Sequence, residues 1–374
     1  MLDLWKFGFC SPPFKNDIFE WRRQVLKIMK SYKNVYNNVW DFKNILKSYY
    51  LARKRKNTKT YVIDFEWNLE RELLEIQKEL QEKTYQPGSY KNFYVSDPKK
   101  RLVYVASFKD RIVHHALCNV IEPIFDKGFI YDSYACRKNK GTHCAVMRLK
   151  KFLRILYFKC GSNNFYILKC DISKFFDNVD KEILFELIKK KIKDKNILRL
   201  IKKILNSTNG PKGIPIGNLT SQLFANIYLN ELDQFVKHHL RIKYYTRYMD
   251  DFVIVSDDKN QLKIWREEIK NFLQNHLQLI LHPQKQEILP AKIGVDFLGF
   301  HVFHSHILIR KSTVRRFWEK FKKGKMSYES FWSYVGHLKF ADWWGLKKKI
   351  ENKIVFVYSR SFCDFYDKRT ANFS

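Results

Sequence analysis

The chain has few acids, little glycine or proline, and no organised set of cysteines. It has 374 residues, with 38 Asp plus Glu set against 70 Lys plus Arg and a formal net charge of +32. A field of that sign repels other copies of the chain and attracts polyanions, which argues against a cationic substrate. The seven cysteines (Cys10, Cys118, Cys136, Cys144, Cys160, Cys170, Cys363) are odd in number and contain no C-x-x-C pair. That excludes a disulfide framework and a zinc ribbon. His143-Cys144 with Cys136 is the nearest approach to a metal-ligand cluster and has no second half, so it reads as scattered thiols. No apolar run approaches the roughly 18 residues that cross a bilayer. Met1-Leu2-Asp3-Leu4-Trp5-Lys6 lacks a basic-then-apolar leader pattern. We therefore expect an intracellular, cytoplasmic protein with no membrane partner. With 13 Gly, 9 Pro, no repeat and no low-complexity tract, there is no linker, so any subdomains are closely joined.

Hydrophobic residues make up 45%, enough for a large core. Lysines run along the whole chain, interleaved with 31 Phe, 21 Tyr and 9 Trp. Such a mixture suits backbone phosphates and stacked bases, although a solvated lysine surface or an anionic membrane face would also use the charge. Residues 20–50 read as helical and aromatic-rich, and Arg53-Lys54-Arg55-Lys56 as a basic loop. Leu69, Leu73, Ile76 and Leu80 recur at helical spacing. Tyr85-Gln86-Pro87-Gly88 breaks that helix, two short strands flank Asp97-Pro98, and Asp110–Phe125 is helical. Phe165–Ile172 reads as a buried strand reaching Asp171. Asp180 caps a helix through Ile188. A Gly/Pro loop (Gly210 to Gly217) then leads into a helix from Leu219 to about Val236. Lys243–Tyr248 and Phe252–Ser256 form a hairpin with Met249-Asp250-Asp251 at its tip. A helix over Gln261–Leu277 and strands over Gln286–Leu289 and Asp296–Phe303 follow. From Lys311 the chain is helical, basic and aromatic. This order argues for an α+β core with an antiparallel sheet.

The acids indicate the chemistry. Nucleotidyl transfer needs an activated 3′ oxygen and a stabilised pyrophosphate, and two Mg2+ ions roughly 3.5–4 Å apart serve both. They need hard carboxylate ligands that face one another. A strand ending in Asp171 beside a hairpin tip with Asp250-Asp251 supplies them, because neighbouring strands lie about 4.8 Å apart. Acid pairs at turns are often only turn chemistry. Here the pair is flanked by strand-like runs and would leave like charges together at a sheet edge, which is costly without a cation.

Tyr248-Met249-Asp250-Asp251 resembles the catalytic hairpin of reverse transcriptases. Asp171-Ile172-Ser173-Lys174-Phe175-Phe176-Asp177 resembles their first catalytic motif. Gly213-Ile214-Pro215-Ile216-Gly217-Asn218-Leu219-Thr220-Ser221-Gln222 resembles the loop and helix under the incoming nucleotide. Leu281-His282-Pro283-Gln284-Lys285 and Phe297-Leu298-Gly299-Phe300 resemble the later motifs. Lys100-Arg101-Leu102, with Phe108 to Leu117, resembles a finger segment. The resemblance covers about residues 60–310 in the family's order. It implies a right-hand polymerase architecture: an N-terminal helical basic extension (1–59), fingers (60–164), a palm (165–309, with about 180–212 returning to the fingers) and a helical thumb (310–374). Residues 311–374 are expected to grip duplex rather than form an RNase H or endonuclease domain.

The resemblance also implies roles. Asp171, Asp250 and Asp251, with the Ile172 carbonyl, would hold two Mg2+ ions, for which Mn2+ can substitute. Arg101, Ser173, Lys174, Phe175, Phe176, Ile216, Gly217, Gln222 and Lys285 would line the dNTP site. Arg101 would clamp the triphosphate, Phe176 exclude a 2′-hydroxyl and Lys285 sit by the pyrophosphate. For Phe176 a plain core position beside Phe175 stays open, and for Arg101 a plain surface one. Tyr248, Met249, Phe297, Leu298 and Gly299 would contact primer and template. Arg53, Lys54, Arg55 and Lys56 bind RNA or form a solvated loop. Ile216 departs from the glutamine of many retroviral and intron enzymes, and Gln222 stands where proline is common. That pattern resembles the reverse transcriptases of diversity-generating retroelements. The implied task is copying a template RNA into cDNA with errors at adenines, aided by a small basic oligomeric accessory protein. The alternatives are another bacterial reverse transcriptase (phage-defence or intron-derived) or a non-catalytic RNA-binding scaffold.

Overall fold

The computed structural model describes residues 31–95, 101–323, 326–342, 344–345 and 347–348. Residues 1–30 of the expected N-terminal extension, the Asp97-Pro98 turn with Lys100, and the end of the expected thumb from residue 349 lie outside the described residues.

The elements in chain order begin with α1 (Asn37–Trp40), α2 (Phe42–Arg53), α3 (Thr60–Glu66) and α4 (Leu69–Gln81). Strands β1 (Lys91–Val95) and β2 (Arg101–Val105) follow, then α5 (Phe108–Asp126), α6 (Thr142–Cys160) and β3 (Tyr166–Ile172). The short α7 (Phe175–Asn178) leads to α8 (Lys181–Lys191), α9 (Lys195–Leu205) and α10 (Leu219–Gln234). Next are β4 (Tyr245–Tyr248), β5 (Asp251–Ser256), α11 (Lys259–Leu277) and β6 (Leu281–Pro290). The described chain closes with β7 (Val295–Phe297), β8 (Phe300–Val302), β9 (Ile307–Ile309), α12 (Lys311–Lys322) and α13 (Tyr328–Leu338).

These elements form where the side chains favour them. On α4, Leu73, Ile76 and Leu80 are buried on one face, and Glu70 and Glu72 occupy the first turn, where the helix dipole favours acids. Ser107 caps α5 by accepting the Asp110 N–H at 3.0 Å. Asp180 caps α8 by accepting the amides of Glu182 and Ile183, both at 3.0 Å. Asp194 caps α9 and also accepts the amides of Val35 and Tyr36 at 2.8 and 2.9 Å, tying the first described residues to it.

The described chain forms two compact units. One comprises the described residues up to Arg137, Cys170–Phe252 and Ile264–Gln286; the other comprises Lys138–Lys169, Val253–Lys263 and the described residues from Glu287. In the first, β1 and β2 pair antiparallel, with Lys91 opposite Val105. Helix α5 packs on α2 and on α10, and its Ile112, Val113, Ala116, Leu117 and Ile121 are wholly buried. The four-stranded sheet has the order β4-β5-β3-β6. In the second unit β7, β8 and β9 form an antiparallel sheet with Phe297 opposite Phe300 and Val302 opposite Ile307. There Phe317 is fully buried, with the rings of Trp318, Phe321, Phe331 and Tyr334 at centroid distances of 5.2, 6.0, 6.3 and 5.5 Å. Phe317 is core, as the helical spacing predicts, and the four rings around it are half-buried.

Two expectations change. The single strand over Asp296–Phe303 is two strands, because Leu298 (φ 51°) and Gly299 (φ 90°) turn the chain between them. Two successive positive φ angles are what a two-residue hairpin turn requires. Helices α6 and α9 add to the expected elements, and each carries the helical signal: Ile197, Leu200, Ile201, Ile204 and Leu205 of α9 are all buried. Among the described residues no helix is long and apolar enough to cross a membrane.

Candidate active site

The site belongs to the first unit and starts at the end of β3. The Ile172 N–H donates to the Asp250 carbonyl at 3.1 Å, and the Ser173 N–H donates to the Ile280 carbonyl at 2.9 Å. The strand end that carries Asp171 is thus held between the β4–β5 turn and the chain entering β6. The turn itself is Met249-Asp250, with Met249 in the left-handed region at φ 56°. An unbranched side chain tolerates that conformation where a branched one would not.

Burial, and then the charge of Asp171, push the Asp250 carboxyl above the usual carboxylate range. Its own backbone amide, Arg101 and Lys285 pull the other way. The Lys285 ammonium donates to Asp171 Oδ2. Asp171, Arg101 and Lys285 therefore all act electrostatically on Asp250, and Asp251 opens β5. Among the described residues no three His, Cys, Asp or Glu side chains are grouped closely enough to cage an ion. Mg2+ usually takes one or two carboxylates and completes its shell with water and substrate phosphates. Asp171 and Asp250 provide such a pair of hard oxygen donors.

The nucleotide-side motif is laced to the first catalytic motif by backbone bonds. Lys174 adopts φ 43°, and its carbonyl accepts the amides of Asp177 and Asn178 at 3.0 and 3.1 Å. Phe176 is half-buried and stands edge-on to the buried Phe175, with ring centroids 5.3 Å apart. The Phe176 carbonyl accepts the Ile214 N–H at 2.9 Å, and the Gly213 N–H donates to Val179 at 2.8 Å. On the other side, the Tyr104 N–H donates to the Ile216 carbonyl at 2.8 Å. Gly217, at φ +114°, has room for no side chain, because a Cβ there would lie 2.7 Å from the Tyr104 carbonyl oxygen. The structure thus brings Ser173, Lys174, Phe175, Phe176, Ile216, Gly217 and Gln222 to one loop-and-helix assembly beside β2.

The remaining expected contacts are more dispersed. Arg53 is engaged by the Glu66 carboxylate, which also accepts the Tyr49 hydroxyl at 2.6 Å, whereas Lys54 and Arg55 are exposed. Phe297, Leu298 and Gly299 make the hairpin turn of the second unit, where the Arg310 N–H donates to the Gly299 carbonyl at 3.0 Å.

Sequence reasoning missed the support beneath the Met249-Asp250 turn. Arg247 of β4 is fully buried and its guanidinium donates to four oxygens. These are Asp233 Oδ1 (2.7 Å), Asp233 Oδ2 (2.5 Å), Ser133 Oγ (3.1 Å) and the Met249 carbonyl (3.0 Å). Tyr245 adds its hydroxyl to Asp233 at 2.7 Å. Burial opposes the guanidinium charge, and Asp233 with Tyr245 outweighs it, so the Arg247 pKa rises. Through the Met249 carbonyl this network fixes the turn that presents Asp250. Its trace in the sequence was a charged residue inside an apolar strand, with Asp233 within a mostly apolar helix.

The model of the family described as reverse transcriptase (RNA-dependent DNA polymerase) matches residues 92–302, more than half of the chain. The chain belongs to the reverse transcriptase family. Its chemistry is nucleotidyl transfer, the RNA-directed synthesis of DNA. This reverse transcriptase is 29% identical over 283 residues to protein YkfC of Escherichia coli, covering 64% of this chain and 72% of that one. It is 25% identical over 321 residues to the group II intron-encoded protein LtrA of Lactococcus lactis, covering 66% of this chain and 51% of LtrA. The chain thus spans about half the length of LtrA and is related to group II intron reverse transcriptases. Among solved structures, telomerase from Candida albicans matches with 12% identity and a TM-score of 0.46, over 62% of this chain and 48% of the telomerase chain.

Proposed function

We propose that this reverse transcriptase copies a template RNA into cDNA with errors concentrated at template adenines, for diversification of a target gene. In this reading Asp171, Asp250 and Asp251, with the Ile172 carbonyl, hold two Mg2+ ions. When bound, the ions would supply charge stabilisation for the attacking and leaving oxygens. The observation that carries the polymerase reading is a buried Asp250 carboxyl beside the charge of Asp171, on a turn whose Met249 carbonyl accepts from Arg247. Arg101 and Lys285 bring cationic charge to the same place, where a triphosphate and its pyrophosphate would need it.

In the same reading, residues 60–164 form the fingers, 165–309 the palm (with about 180–212 returning to the fingers) and the helices after Arg310 a thumb. Template RNA, cDNA and dNTPs are the partners, with a small basic oligomeric accessory protein that helps hold the RNA, in the cytoplasm. Phe176 is the sugar gate: Phe176→Ala should raise ribonucleotide use relative to dNTPs on the order of tenfold or more, as removal of a packed group from a specificity pocket does. Parallel steady-state assays with dATP and ATP check this, and an unchanged ratio would leave Phe176 a core aromatic packed on Phe175.

The diversity-generating reading rests on Ile216. An alkyl side chain there offers no hydrogen bond to the nascent pair, whereas an amide would contribute about 1 kcal/mol of geometric checking. Ile216→Gln should therefore lower misincorporation at template adenine several-fold, measured by sequencing cDNA made on a defined RNA. A second reading, an intron-type enzyme that copies faithfully, is favoured by the likeness to LtrA. Accurate cDNA from the unmodified protein, supplied with cognate RNA and accessory protein, would select that reading.

A further inference from the structure

Lys181 is the first residue of α8 and is only 6% exposed. Lysines are seldom buried to that degree. Two effects oppose an ammonium in this place. Burial disfavours the charged form and holds the Lys181 pKa below the ordinary 10.5. The first turn of a helix also carries partial positive charge, which repels a cation. What offsets both is a pair of backbone carbonyls in the facing loop. The Lys181 Nζ donates to the Thr208 carbonyl at 2.7 Å and to the Gly210 carbonyl at 2.8 Å.

Those carbonyls belong to the loop that leads from α9 into Gly213 to Gln222. The loop runs back along the segment that follows Asp171, and the two are joined rung by rung. The Lys181 N–H donates to the Pro211 carbonyl at 3.1 Å, and Asp180 pairs antiparallel with Lys212. The Gly213 N–H donates to Val179 at 2.8 Å, and the Ile214 N–H donates to Phe176 at 2.9 Å. One end of this ladder therefore holds Phe176 against Ile214, two residues before Ile216, and Lys181 closes the other end. The Lys181 side has an anchor of its own. The Asp180 N–H donates to the Tyr228 hydroxyl at 3.4 Å, and that hydroxyl donates to the Leu277 carbonyl at 2.7 Å. The loop side contains no helix or strand between Asn206 and Asn218, so bonds from its neighbours set its path.

We propose that Lys181 is a positioning residue for the nucleotide site, whose two bonds to the loop set the spacing between Phe176 and the Ile214–Ile216 segment. A charged donor holds a carbonyl about twice as strongly as a neutral one. Without it the Thr208 and Gly210 carbonyls lose their clasp, and the loop moves off the segment that carries Phe176. Misplacement by about 1 Å of a group that holds substrate is enough to change kinetics by large factors. The inference rests on the reading of Phe176 and Ile216 as nucleotide contacts and adds to it the residue that fixes their separation.

The test is primer extension by the full chain on a defined RNA, with dATP and with ATP. Lys181→Met keeps an unbranched side chain and removes every donor. It should raise the KM for dATP roughly tenfold and lower the preference for dATP over ATP several-fold, with kcat changed less than about threefold. Lys181→Gln, which returns two N–H donors without a charge, should recover part of the KM. In a Phe176→Ala background, Lys181→Met should leave the dATP-to-ATP preference where Phe176→Ala has set it. A lysine that serves stability alone would lower the folded fraction, so kcat would fall while KM and the preference stayed; that result would overturn the proposal. So would a Lys181→Gln variant no better than Lys181→Met, or a preference that drops as far in the Phe176→Ala background as in the parent. If Phe176→Ala alone leaves the preference unchanged, the sugar-gate reading fails, and the KM comparison still decides whether Lys181 places the loop. Failure of the unaltered chain to extend any primer would overturn the polymerase reading itself, and this inference with it.

Discussion

Asp250→Asn is expected to abolish cDNA synthesis, lowering the rate by on the order of 10³-fold or more, while leaving the fold intact. The carboxylate is one of the pair that would hold a divalent cation, and losing it forfeits several kcal/mol of transition-state stabilisation. The same substitution should stabilise the metal-free protein. Burial and Asp171 raise the Asp250 pKa above its ordinary 3.8, so the folded chain resists ionising this group. That cost is fully present above the raised pKa and disappears as pH falls through it toward 3.8. The asparagine variant should melt higher than the parent at pH 8 in EDTA, and the difference should close on acidification. A variant that melts lower across the whole range would show that Asp250 is a structural partner, not a ligand held ready against its neighbours. Primer extension in Mg2+, with melting curves in EDTA at pH 4 and pH 8, tests both halves.

The second large effect is expected at a residue that contacts no substrate. Arg247→Met leaves Asp233 charged in a fully buried position, and Asp233→Leu does the same to Arg247. Breaking a buried pair from one side costs about 3–5 kcal/mol, because the remaining charge has lost its compensation. Each single variant should therefore show that loss in urea unfolding. The double variant Asp233→Leu with Arg247→Met removes both charges and should recover much of the stability. Activity should not recover with it. The Met249 carbonyl would still lack the Arg247 donor at 3.0 Å, leaving the turn that presents Asp250 less firmly placed. A stable double variant with normal kcat would mean that the network serves stability alone. A low kcat at unchanged stability and unchanged KM would identify Arg247 as a positioning residue.

Much of the active site could be read from local sequence, because its signals are local. Asp171 closes an apolar strand run, Asp250-Asp251 sits between two others, and Gly213 to Gln222 shows a turn-then-helix composition. The helix boundary at Asp180 followed from cap chemistry, which depends on neighbours two or three positions away. The turn at Leu298-Gly299 came only from the family resemblance and not from the strand pattern, because a leucine in the left-handed region has no compositional signature. Arg247 was overlooked for a different reason. Its partners are Asp233, Ser133 and Met249, and only folding makes them neighbours.

By itself the sequence determined the strongly basic field, the α+β element order, the family motifs and the identity of the acids. Those depend on composition and on spacings of a few residues, which survive in any conformation. Only the tertiary structure decided that Asp171 and Asp250 oppose each other, that Lys285 reaches Asp171, and that Arg53 is engaged by Glu66. Charge coupling and burial are properties of through-space distance, and distance between residues a hundred positions apart exists only after the chain has packed.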